Sequence, residues 1–157
     1  MGKFIPNAPK PLFEKPPFFE DIKASDVPGR RTEKKVSVLQ GEVVEILGKL
    51  GAVGVYFLDG TFEGEPRRYG FTVNFTVQTI PARIDVAALP LRSDTNKDRA
   101  LAQALFLLRN RLEAQYYAAA YEPGVIPLLP YLIGAGGQTV NEAFLESQVL
   151  PMLKDGA

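Results

Sequence analysis

The sequence predicts an α+β fold, a small antiparallel sheet of three or more strands packed against a long helix and preceded by a proline-rich arm. Three observations lead there. Arg67–Ile80 alternates apolar and polar residues with period two, Asn96–Tyr121 repeats apolar residues at helical spacing, and Met1–Pro28 holds six of the chain's thirteen prolines. Strand segments are contiguous and helical segments flank them, the order typical of α+β domains. A length of 157 residues suits one domain. The chain therefore divides into an arm with a basic connector over 1–35 and a single α+β domain over 36–157.

Pro6, Pro9, Pro11, Pro16, Pro17 and Pro28 exclude helix from the arm and favour extended backbone. The arm also carries Phe4, Ile5, Leu12, Phe13, Phe18, Phe19 and Ile22, more apolar groups than a linker needs. Two readings follow. Either the phenylalanines pack on their own domain, or Phe13, Phe18 and Phe19 dock on a neighbouring subunit or protein partner. The connector Gly29–Lys35 is basic through Arg30, Arg31, Lys34 and Lys35.

Leu39, Val43, Ile46, Leu47 and Leu50 recur at helical spacing, predicting a helix over Ser37–Gly51 that Gly51 stops. Gly41 and Gly48 weaken it by about 1 kcal/mol each relative to alanine. The apolar run Val53–Asp59 predicts a buried strand, and Gly60–Pro66 a turn. In Arg67–Ile80, Tyr69, Phe71, Val73, Phe75 and Val77 share one face, and Thr72, Asn74 and Thr76 the other. The two strands form a hairpin. Pro81 interrupts, and Ala82–Leu89 resumes as a third strand. Thr95 with Asp98 predicts a capping box for the long helix, whose stripe is Leu101, Ala104, Leu105, Leu108, Leu112, Tyr116 and Ala119. Val125–Ile133, with Pro127 and Pro130, reads as extended or turn-like. Thr139 and Glu142 form a capping box for a last helix over Val140–Leu153.

The chain has no histidine and no cysteine. Cys/His metal sites, thiol nucleophiles and Ser-His-Asp triads are thereby excluded. Carboxylate chemistry would draw on Asp59, Glu63, Glu65, Asp85, Asp94 and Asp98, but no lysine stands where a nuclease-like pattern around Asp85 would need one. Gly134–Thr139 precedes a helix but lacks the Lys-Ser/Thr pair of a phosphate-binding P-loop. These features read as a solvated set of acids and a capped turn. No metal and no cofactor is expected, and no enzymatic activity. No apolar segment is long enough to span a bilayer, so the expectation is a cytoplasmic protein without a membrane partner.

Arg67-Arg-Tyr-Gly-Phe-Thr-Val-Asn-Phe75 interleaves basic and aromatic residues on one strand. Such parts serve single-stranded nucleic acid, with arginines on phosphates and rings on bases. It loosely resembles the aromatic strand of RNA-recognition-motif domains. The candidate nucleic-acid site is Arg67, Arg68, Tyr69, Phe71 and Arg83, helped by Arg30, Arg31, Lys34 and Lys35. If Tyr69, Phe71 and Phe75 are core instead, the binding face is the Thr72/Asn74/Thr76 side, with Arg67, Arg68 and Arg83 at its rim. Eighteen acids balance eighteen bases, which weighs against non-specific nucleic-acid binding.

The stretches Gly51–Phe57 (GAVGVYF), Tyr69–Phe75 (YGFTVNF), Ala104–Ala114 (ALFLLRNRLEA) and Pro130–Phe144 (PYLIGAGGQTVNEAF) resemble a family of small uncharacterised proteins carried by bacteriophages and bacterial mobile elements. The resemblance implies a setting in DNA replication, recombination or host takeover. It carries over no catalytic residue. The expectation is a non-enzymatic accessory protein that binds single-stranded DNA or RNA. The alternative is an interaction or structural subunit that forms a homo-oligomer or docks on a protein partner through its arm.

Overall fold

A computed structural model describes residues 15–23, 25 and 27–146. Phe13, with the rest of 1–14, and the last turns expected of the final helix lie outside them. The order is α1 (Val36–Lys49), β1 (Ala52–Phe62), β2 (Arg68–Val77), β3 (Ile80–Ala87), α2 (Lys97–Tyr121) and α3 (Val140–Glu146). Short 3-10 turns stand at Phe19–Asp21, Asp94–Asn96 and Leu129–Tyr131. The three strands form one antiparallel sheet in the order β1-β2-β3. The fold is α+β.

Period-two alternation sends Phe71, Val73 and Phe75 of β2 to one face, where all three are buried. Register places Phe57 and Ile84 beside Val73 on that face. Helix α1 covers it with Leu39, Val43, Ile46 and Leu47, and α2 with Leu101, Leu105, Leu108 and Leu112. The helices run in the same direction, since Leu39 packs with Leu101 and Leu105 while Ile46 and Leu47 pack with Leu108 and Leu112. The buried stripe of α2 ends at Leu112, two turns earlier than the spacing implies. At about 1.5 Å per residue α2 outruns α1: Tyr116 lies partly exposed beside Lys49 in the last turn of α1, and Tyr121 stands exposed past it.

Helix α1 stops where Leu50 leaves helical geometry and Gly51 takes a φ of 97°, a left-handed turn that favours glycine. In β1 the register slips between Val53 and Tyr56, and Gly54 turns left-handed (φ 64°) inside that bulge. Gln78 and Thr79, both at positive φ, close the β2–β3 hairpin in two residues. Strand β3 therefore begins at Ile80 and includes Pro81, which the sequence reads as an interruption. Pro81 sits opposite Thr76, and its carbonyl, turned to the outer edge, accepts from the Ile133 amide at 2.8 Å. Its missing N–H costs the ladder nothing there. The segment after α2 is turn-like and covers this edge: Ala82 bridges Leu132, and Leu128 is fully buried.

Thr139 and Glu142 form the expected capping box, each accepting from the other's amide at 3.2 and 3.0 Å. The box expected at Thr95 does not form. Asn96 occupies the N-cap of α2 without a side-chain cap bond, and Ser93 Oγ accepts from the Thr95 amide. Gly60, Gly70 and Ala87 make a row of small residues across the sheet. A Cβ at Gly70 would collide with the Val86 carbonyl oxygen and the Phe62 ring.

Two stability outcomes follow. Phe19→Ala removes a ring that is 0% exposed and is expected to lower unfolding free energy by about 3–5 kcal/mol in urea titration. Gly70→Ala overpacks the row and is expected to cost about 2 kcal/mol or more in the same measurement; a loss below that would show that the β3 backbone at Val86 shifts as readily as the Phe62 ring.

Candidate functional site

The face of the sheet opposite the helices is open among the described residues. Register fixes its rows: Val53–Thr76–Pro81, then Tyr56–Asn74–Arg83, then Leu58–Thr72–Asp85. Val53 is 63% exposed, and Tyr56 and Leu58 are each 55% exposed. An apolar strip on β1 thus adjoins a polar strip on β2 and a charged strip on β3. The run Val53–Asp59 is therefore not a buried strand. It belongs to a strand at the sheet's edge, with Val55 and Phe57 packed inward and Tyr56 and Leu58 outward. A continuous apolar run cannot distinguish these cases, because in a sheet with one open face only alternate side chains meet the core, whether or not the others are apolar.

The residues expected to bind nucleic acid do not converge. Phe71 is 3% exposed and meets Phe57 edge-on at 6.0 Å; as core it cannot stack on a base, which corrects its assignment to the binding site. Tyr69 is half-buried on the same side, its hydroxyl donating to Asp94 Oδ1 at 3.2 Å and its ring meeting the Lys97 ammonium at 4.5 Å. Arg67 is exposed near that ring. Arg68 donates from Nε and Nη2 to the carbonyls of Ala88 and Ala87 at 2.8 and 3.1 Å. Arg83 lies on the open face opposite Asn74, six positions along β2 from Arg68, roughly 20 Å away. It is paired with Asp85 at 3.2 Å and with Glu142.

The connector residues form a separate place. Arg31, Lys34, Lys35 and Arg99 line an open groove of about 760 Å3 at the start of α1, together with Glu33 and Asp98. Lys34 is bonded to Glu42 at 2.6 Å. Arg30 is turned inward, its guanidinium 3.9 Å over the Phe19 ring and its Nε donating to the Phe19 carbonyl at 3.2 Å.

The arm's described end packs on its own domain. Phe19 is in the core with Leu39, Ala100, Leu101 and Leu105, so it is withdrawn from any partner-docking role. Its amide donates to the Pro90 carbonyl at 2.8 Å. Phe18 lies under Arg92 at 4.3 Å, and Asp21 receives Arg92 in a two-point pair at 3.1 and 2.7 Å. Glu20 accepts from the amides of Arg92 and Ser93 and from the Asn96 side chain at 3.0–3.2 Å. This clasp has no sequence motif; its only trace is the acidic pair Glu20-Asp21 beside the phenylalanines.

Gly134–Thr139 closes on itself, Gly134 N–H to Gln138 O and Gly137 N–H to Gly134 O at 3.0 Å each, so it is a capped turn. Among the described residues, no cluster of three acids is placed to hold a metal ion, and no helix is long and apolar enough to cross a membrane. Searches of protein-family models, curated proteins and solved structures give no match to this chain.

Burial pushes the Glu20 carboxyl upward, but the Arg92 and Ser93 amides and Asn96 outweigh it and hold the group at about 2, against an ordinary 4.5. A carboxyl depressed in the folded state stabilises fully above the unfolded value and loses that contribution as pH falls through the folded one. The clasp is therefore expected to weaken as pH drops from about 4.5 towards 2. Limited proteolysis within residues 15–31 across that range checks it. Glu20→Gln is expected to give raised, flatter cleavage; an unchanged pH profile would show that the clasp does not depend on this carboxylate.

Proposed function

We propose that this protein is a non-catalytic structural subunit that self-associates through the open face of its sheet. The carrying observation is the exposed apolar strip Val53, Tyr56 and Leu58 on β1, on the same open face as Arg83 of β3, which is paired with Asp85 and Glu142. A symmetric dimer presents the same patch from both copies. Consider a twofold axis parallel to the sheet and about 5 Å above its open face, running across the strands between the Tyr56 and Leu58 rows. It stacks Tyr56 on the second copy's Leu58 position, Asn74 on Thr72 and Arg83 on Asp85. Apolar meets apolar and donors meet acceptors, while Arg83, already held by Asp85 and Glu142 of its own chain, meets a further Asp85. Two such sheets would pack face to face at about 10 Å, as in sandwiches.

Nucleic acid is the weaker occupant. Arg68, Arg83, Arg30 and Lys34 are held by their own chain, and Asp85 stands on the face itself. Against it speaks also the zero net charge. The observation in its favour is the groove where Arg31, Lys35 and Arg99 stand with Lys34.

Three strands of about eight residues give a face of roughly 14 by 27 Å, about 750 Å2 over two copies, below the range of stable interfaces and suited to a weak, transient contact. A dissociation constant in the micromolar range is therefore expected by sedimentation velocity. Leu58→Lys, which changes an exposed side chain, is expected to leave the fold intact by circular dichroism and shift the chain to monomer. Asp85→Arg, placing cations opposite each other, is expected to weaken association at least tenfold. A chain that stays monomeric at several hundred micromolar overturns the proposal; if it also raises the anisotropy of a labelled single-stranded oligonucleotide at low salt, the nucleic-acid reading replaces it.

A further inference from the structure

We propose that the cavity between the arm, the end of β3 and α2 binds a small apolar carboxylate. This inference does not rest on the assembly reading. The cavity measures about 230 Å3 and is walled by Ile22 and Val27 from the arm side, Leu89 after β3, and Ala104 and Leu107 of α2. Two polar side chains interrupt these walls, Arg68 and Gln103.

Arg68 is the one charged group among the lining residues. Gln103 is 2% exposed, and its Nε2, which has no hydrogen-bond partner among the described residues, has almost no surface open to the cavity, so the amide contributes a polar wall and no ready donor. Arg68 spends Nε and Nη2 on two backbone carbonyls, which are neutral acceptors. Arg83, Arg92 and Arg109 each meet a carboxylate in ion pairs, whereas among the described residues no carboxylate pairs with Arg68. Burial also pushes the Arg68 guanidinium below its ordinary range, as expected of a cation lacking a counter-charge.

One guanidinium in an apolar enclosure defines the complementary molecule. Its head accepts two hydrogen bonds and carries a negative charge, which a carboxylate does in the planar geometry that suits guanidinium. Its tail is apolar. At roughly 30 Å3 per non-hydrogen atom, the cavity takes about seven or eight such atoms, hence a chain of about five or six carbons including the carboxylate. Because Ile22 and Val27 form one wall, an occupant would also hold the arm against the domain.

Isothermal titration calorimetry of the full chain with sodium 4-methylpentanoate tests this, with 4-methylpentanamide as the uncharged control. Saturable binding of the carboxylate is expected with a dissociation constant below about 1 mM, and at least tenfold weaker binding of the amide. Arg68→Met is expected to lose at least tenfold in carboxylate affinity. Should that variant fail to fold, Leu107→Trp serves instead: Leu107 is partly exposed, and the larger ring fills the cavity and abolishes binding. No saturable heat from the unaltered chain, equal binding of acid and amide, or undiminished binding by Leu107→Trp each overturns the proposal.

Discussion

Three strands with both helices on one side have one covered face and one bare face, and that asymmetry governs the molecule. The covered face can be uniformly apolar because α1 and α2 shield it. The bare face must be polar enough to remain in water or apolar enough to be covered by something else. Here it is divided by strand. The central strand offers Thr72, Asn74 and Thr76, while the edge strand β1 offers Val53, Tyr56 and Leu58. A large apolar side chain more than half exposed is unremarkable alone, but three in line on one strand form a patch.

The two sheet edges are treated differently, which sharpens the asymmetry. At β3 the chain returns after α2 and pairs with the edge through Pro81, Ala82 and Leu132. At β1 nothing among the described residues pairs. Such an edge invites strand addition unless something discourages it. The bulge at Gly54 breaks the ladder near one end, and Asp59 stands mid-strand, where antiparallel self-pairing about that residue would bring like charges together. Edge-to-edge growth is thus opposed while the face next to it stays open, and this favours a closed face-to-face pair over a fibre.

The sequence displays the parts of this fold that depend on local repetition. Alternation in β2, helical spacing in α1 and α2, and the Thr139–Glu142 box are each written within one segment and reappear in the fold, with the buried part of the α2 stripe stopping at Leu112. What depends on the position of a segment in the assembled sheet is not written that way. VGVYFLD has the same letters whether its sheet is covered on both faces or on one, so the exposed strip on β1 could not be read from it. Pro81 looks like a break until the hairpin turn fixes which side of the strand its nitrogen faces. The candidate site suffered most, because basic residues that look free in sequence are taken up by distant partners. Glu142 reaches Arg83 across 59 residues, and the Ala88 carbonyl reaches Arg68 across 20. Glu20 supplies a cap for the approach to α2 from more than 70 residues upstream, so no local pattern could have announced it.

That distant cap explains why the arm's described end belongs to the domain. A chain entering through prolines cannot anchor itself by helix or by a continuous ladder. It is instead fixed by three unlike contacts within four residues: the Phe18 ring under Arg92, the Phe19 ring in the core, and the Glu20 and Asp21 carboxylates on the amides and guanidinium of Arg92 and its neighbours. The ring contact and the ion pair both pass through Arg92, as does part of the amide capping. The Phe19 burial is independent of pH, whereas the carboxylate contacts are not. The arm is therefore held by one permanent anchor and one titratable fastening, and the cavity bounded by Ile22 and Val27 lies just beyond them. A molecule seated there would act on the same segment from its other side, coupling its own binding to how firmly the arm is closed.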